Sequence, residues 1–165
     1  MALIDAMLQE LEEEAKTTRR VLERVPDEHL AWRPHEKART LGVLAMHVAN
    51  VPGGVAELAS RSPAQVPQFT DPDPKSASEL LPALDESIAK AKRALGGMDD
   101  AALMETWRLM HGDRELFAVP RMAFLRSVML NHWYHHRGQL SVYLRALGVP
   151  IPAIYGPSAD ENPFV

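Results

Sequence analysis

At 165 residues, 46% hydrophobic and 24% charged, the chain has a globular composition and enough length to bury one core, which excludes general disorder. Its formal charge of −4, with acidic and basic residues interspersed, lacks the basic excess of a phosphate-tracking surface and argues against nucleic acid as a partner. The absence of cysteine excludes disulfides, thiolate metal ligands and a cysteine nucleophile.

Residues 1–165 are expected to form a single domain. The opening stretch "MALIDAMLQELEEEAK" turns acidic before a signal-peptide core could form. No run approaches the ~18–20 apolar residues of a membrane span. A cytoplasmic protein with no membrane partner is the expectation.

The first helix is predicted over residues 3–25, with Ile4, Leu8, Leu11, Ala15, Leu22 and Val25 on its apolar stripe and Thr18 in the same line. Pro26 stops it, and the stretch that follows, with Trp32 and a second proline at Pro34, reads as a connection. Thr40 is the expected N-cap of a second helix with Leu44, Val48, Val51, Val55 and Leu58 as its stripe. "PGG" at 52–54 predicts a kink or break, because Pro52 has no amide to donate to the Val48 carbonyl. Residues 60–75, with four prolines, are expected to hold no regular element.

Ser76 and Glu79 have capping-box spacing ahead of a third helix that buries Leu81, Leu84, Ile88, Ala91 and Leu95 and ends at Gly96-Gly97. Residues 98–119 read as a short helix and a small hairpin turning at His111-Gly112-Asp113. A fourth helix runs from Pro120 to Leu147, with Leu125, Met129, His132, His136, Leu140, Tyr143 and Leu147 in line. The tail, with Ile151, Ile154, Tyr155 and Phe164, is expected to pack over one end of the core. Four amphipathic helices joined by long connections predict an all-α four-helix bundle, with its connectivity open.

The segment "NHWYHHRGQL", residues 131–140, carries the strongest chemical signal. His132 and His136 lie four apart on the predicted inner face, whereas His135 and Arg137 lie off it. Two buried imidazoles need partners, either carbonyls and water or a divalent ion such as zinc, nickel, iron or copper. His47, on the inner edge of the second helix, is the best third ligand. His29, His35 and His111 sit in connections or turns. Three histidines are the donor set of a catalytic rather than a closed structural site.

Gln139 is read as an orienting group or a boundary residue, and Gly138 as a point of close backbone approach. Trp32, Trp107 and Trp133 are packing residues or pocket walls. Met46, Met122 and Met129 are core fillers. Asp160 and Glu161 are a base near the site or simply solvated.

"WRPHEKARTLGVLAMHVAN" and "NHWYHHRGQLSVYLRALGVPIPAIYGPSADE", with the helix between them, resemble the DinB/YfiT-like superfamily over nearly the whole chain. The resemblance implies an up-down-down-up bundle, a homodimer, and a metal triad on His47, His132 and His136 binding nickel, zinc or iron. It also implies a thiol S-transferase-like enzyme using a low-molecular-weight thiol cosubstrate and a small-molecule substrate. The alternatives are a non-catalytic, stress-related metal- or ligand-binding protein and, more weakly, a metal-dependent hydrolase. The sequence departs from the family pattern at "VPGG", where the helix commonly runs unbroken.

Overall fold

The apolar stripes fold as four long helical segments. The computed structural model describes residues 2–164 apart from Phe69 and Asp71. Helix α1 spans Leu3–Leu22, α2 Leu41–Ala59 and α3 Leu80–Leu95, and a two-residue strand β1 (Ala64–Gln65) lies between α2 and α3. Thr40 caps α2 as predicted, accepting from the Val43 amide at 3.3 Å. The expected capping box also forms, with Glu79 accepting from the Ser76 amide at 3.1 Å, but it winds a 3-10 turn (Ala77–Glu79) ahead of α3.

Cross-helix contacts fix the direction of each segment. Gly53 and Glu57 of α2 meet Ser87 and Lys90 of α3, so those two helices run parallel. Glu12 and Arg19 of α1 meet Lys92 and Asp85 of α3, in antiparallel order. A short α4 (Asp100–Met104) follows α3. The chain then makes strands β2 (Thr106–His111) and β3 (Arg114–Pro120), a short α5 (Arg121–Phe124), π-helical turns over Leu125–Asn131, and α6 (His132–Ala146). Glu10 and Glu14 of α1 meet Tyr134 and Arg137 of α6 in parallel order. The bundle is therefore up-down-down-up. Parallel α2 and α3 oblige residues 60–79 to travel back along a 19-residue helix, about 28 Å, which accounts for the length of that connection.

The predicted hairpin is present, turning where Gly112 takes φ +58°. Strand β1 adds to β2 in parallel, inside the segment expected to be irregular. Its prolines bracket the strand rather than enter it, so the Val66 amide can still reach the Met110 carbonyl at 2.9 Å. Trp107 is fully buried here, its indole donating to the Arg61 carbonyl at 2.7 Å and its ring stacking on Phe124. The small sheet is thus tied to the C-terminal end of α2.

Pro52 does not break α2. The Val48 carbonyl that it leaves without an in-helix donor accepts from the Trp133 indole of α6 at 2.8 Å. Gly53 marks the tightest approach of α2 to α3. A Cβ there would lie 2.6 Å from the Ser87 carbonyl oxygen, and the Gly53 amide donates to Ser87 Oγ at 2.8 Å. Gly53 is therefore a packing device, and "PGG" is not a breaker. Contrary to the expectation that no run approaches a membrane span, helix α2 is long and apolar enough to cross a membrane by length and composition. Within the bundle its Leu41, Leu44, Ala45, Val48 and Ala49 are buried.

The last long segment departs from a uniform 3.6-residue period. Its π-helical turns take up extra chain, so the buried line of α6 passes through Trp133, Arg137, Leu140 and Leu144. His132, Tyr143 and Leu147, predicted at the centre of the face, are half-buried at its edge. Arg137, predicted off the face, is 1% exposed. Gly138 faces open space, so the expected backbone approach does not occur. In the tail Ile151 and Ala153 are buried, but Tyr155 and Phe164 remain 70% and 76% exposed.

Candidate metal centre

The antiparallel pair α2 and α6 brings His47 against His132 and His136. The Trp133–Val48 hydrogen bond lies one residue from His132 and one from His47, and pins the two helices at this level. Ring centroids are 5.3 Å apart for His47–His132 and 4.5 Å for the other two pairs. One potential ligand nitrogen from each ring lies within 4.8 Å of the others, in a group made of histidines alone.

His136 is buried, and burial is the main cause that pushes its pKa down to about 4; His47, His132 and the Arg39 guanidinium add to the effect, while Gln139 opposes it. His132 is also lowered, again chiefly by burial and next by His47, against a weak opposing pull from the Val128 carbonyl. Both imidazoles are therefore neutral at neutral pH, the form that binds metal.

The hydrogen-bond pattern tests whether an ion fits. Gln139 Oε1 accepts from His136 Nδ1 at 2.7 Å, which leaves the Nε2 lone pair of His136 directed at His132 Nε2, 2.8 Å away. Without an ion, His132 must carry its proton on Nε2 to fill that contact. Its buried Nδ1 is then an acceptor with no hydrogen-bond partner. A cation in place of the shared proton lets His132 move its hydrogen to Nδ1, where the Val128 carbonyl favours one. The donor set fits a borderline-soft divalent ion.

The structure leaves the other candidates outside this group. His135 is exposed, with its ring 5.0 Å from that of His136. His35 Nδ1 accepts from the Lys37 amide, and His111 ends β2 on the surface. Asp160 and Glu161 pair with Arg145 and Arg20 and bind the Ile151 and Ala153 amides, so they fasten the tail instead of serving as a base. Gln139 acts in the orienting role. Trp133 and Trp107 are packed, and Trp32 lies edge-on to Tyr143.

Sequence reasoning missed Arg137. It reaches Glu14 at 2.6 Å and Thr18 at 3.1 Å and lies over the rings of Tyr134 and Tyr155, locking α6 to α1 behind His136. Thr18, a hydroxyl inside an apolar stripe, was the available signal.

Two grooves flank the histidines. One, about 360 Å³, is lined by Lys37, Arg39, Leu44, His136, Gln139 and Tyr143. The other, about 320 Å³, lies beside His47 and His132.

The DinB family model matches residues 2–162. The chain belongs to the DinB family. Among curated proteins it is 28% identical over 159 residues to the uncharacterized protein YrdA of Bacillus subtilis, covering 96% of this chain and 91% of YrdA. A DinB-like protein from Bacillus cereus matches this DinB-family chain with a TM-score of 0.70 at 26% identity, over 92% and 97% of the two chains. YfiT from Bacillus subtilis, described as a probable metal-dependent hydrolase with an unusual four-helix bundle topology, matches with a TM-score of 0.64 at 18% identity, over 88% and 87%. At that identity YfiT speaks to the fold.

Proposed function

We propose that this DinB-family chain is a metal-dependent enzyme of the thiol S-transferase type, acting on a small electrophile with a low-molecular-weight thiol. The observation that carries this reading is the histidine-only cluster, with the His132 and His136 rings neutral and no carboxylate among its described members. His47, His132 and His136 hold the ion, taken to be nickel, zinc or iron. Such an ion, with only three protein ligands, supplies Lewis acidity that ionises a bound thiol near neutral pH.

Ionising a thiol in this way would need no separate protein base, since a thiol starts closer to neutrality than water does. The chain contributes no cysteine, so the sulfur nucleophile comes from the cosubstrate. Gln139 holds the His136 tautomer that presents Nε2, and the Lys37–Arg39 side gives the site a positive rim.

Hydrolysis is the second reading, suggested by the description of the structurally similar YfiT as a probable metal-dependent hydrolase. Elemental analysis of protein purified without chelator or nickel resin, followed by thiol-transfer and ester-hydrolysis screens, separates them. Stoichiometric metal with thiol-dependent turnover supports the transferase. Thiol-independent turnover selects the hydrolase, and stoichiometric metal without turnover leaves a metal- or ligand-binding protein.

A further inference from the structure

The groove beside His47 and His132 is walled by Val51, Val55, Leu58 and Pro67. Glu57 also lines it, but that carboxylate pairs with Arg61 at 3.0 Å and Lys90 at 3.3 Å. The groove is therefore nearly neutral and mostly apolar, with Asn50, Gln68 and Thr70 as its uncharged polar members, unlike the Lys37–Arg39 side. Its volume of about 320 Å³ corresponds to about ten water volumes, or a chain of similar heavy-atom number.

A neighbouring groove of about 470 Å³, reaching toward α3, shares Asn50, Gly54 and Thr70 with it. Gly54 is thus the saddle between the two. Nothing in the backbone requires glycine here, since positive φ occurs only at Gly112 and Gly148 among the described glycines. Gly54 is exposed, and a Cβ there would meet nothing within 4 Å among the described residues, in contrast to Gly53. Glycine in mid-helix costs stability relative to alanine. At Gly54 no packing contact among the described residues offsets that cost; the residue instead lines both grooves.

We infer that Gly54 is a specificity-determining residue, holding open an apolar passage across α2 that receives an uncharged alkyl chain on the substrate bound at the histidine cluster. The inference rests on the metal-centre reading, because the cluster anchors the reacting end of that substrate. The apolar walls supply dispersion and water exclusion, so affinity grows with the length of the chain they enclose.

The test uses zinc-loaded full-length protein and hydroxamic acids of increasing length, from acetohydroxamic to octanohydroxamic acid, measured by titration calorimetry. Affinity should rise about three- to fourfold per methylene while the chain remains within the passage. Gly54→Leu should abolish most of that rise while leaving zinc stoichiometry and acetohydroxamic acid affinity within about twofold. Gly54→Ala, which retains most of the space, should truncate the rise less, and it decides the matter if the leucine variant does not fold. A flat series in the native chain, or a rise that survives Gly54→Leu and so belongs to the groove beside His136, overturns the inference while the metal centre stands. Failure of the native chain to bind zinc, nickel or iron overturns the metal-centre reading and the inference with it.

Discussion

Adding one methyl group to each of two adjacent glycines should shift stability in opposite directions. At Gly53, alanine gains about 1 kcal/mol of helix propensity. Against that, the new Cβ would lie 2.6 Å from the Ser87 carbonyl oxygen and 2.9 Å from its Cα, both backbone atoms that cannot rotate away. Overpacking of this kind costs about 1–3 kcal/mol. Moving the helices apart also stretches the 2.8 Å bond from the Gly53 amide to Ser87 Oγ, about 1 kcal/mol more. The net expectation for Gly53→Ala is a loss of roughly 1–3 kcal/mol. Gly54→Ala meets no atom of the described residues within 4 Å and should gain about 1 kcal/mol. At about 2–4 °C per kcal/mol for a chain of this size, the two variants should melt roughly 4–16 °C apart. Urea unfolding with unchanged m-values would show that both changes act on folded-state stability. A Gly53→Ala variant as stable as the parent would refute the claim that close approach of α2 and α3 requires that glycine.

Alanine at His47, His132 or His136 should each weaken metal binding by orders of magnitude, Gln139→Leu by about 10–100-fold, and His135→Ala hardly at all; equilibrium competition with a chromogenic chelator measures all five. His132 and His136 both titrate below the ordinary 6.5, so the unfolded chain takes up protons first as pH falls. The metal-free protein should therefore hold its full stability above about pH 6.5 and lose it toward pH 4, by no more than roughly 3 kcal/mol from His136, as read by urea midpoints across that range. For the same reason protons compete poorly for the ligand nitrogens, and metal release on acidification should centre below pH 6; full release by pH 6.5 would contradict the burial described. Chelation should lower the melting temperature while leaving the far-ultraviolet helical signal intact, because the apolar core does not use the ion; collapse of that signal would make the site structural. A homodimer mass by light scattering is expected from the family resemblance, and a monomer at high concentration would remove it.

The helix stripes, the Thr40 cap, the Ser76–Glu79 box and the turn at Gly112 were legible because each depends on neighbours in sequence. The convergence of His47 on the α6 pair was suggested by the faces the histidines occupy. What could not be read depends on contacts between segments. Pro52 reads as a breaker until the Trp133 indole is seen to supply the donor it lacks. Arg137 reads as a surface cation until the π-helical turns rotate it inward, where Glu14 and Thr18 meet it. Strand β1 exists only because β2, more than forty positions later, offers it a ladder. The directions of the helices likewise came from ion pairs such as Lys92–Glu12 that no local pattern specifies.

The hydrogen bond from Trp133 to Val48 also constrains the order in which this sequence can change. So long as residue 52 is proline, the Val48 carbonyl needs an outside donor, and an exchange of Trp133 for phenylalanine strands a buried acceptor. If Pro52 is first exchanged for alanine, the new amide can take that carbonyl, the indole loses its purpose, and phenylalanine becomes tolerable at position 133. The route that begins with Pro52→Ala is therefore open, and the route that begins with Trp133→Phe is closed. These two positions, on different helices and separated by about half the chain, should drift as a pair, with the histidines beside them held in place whichever state the pair occupies.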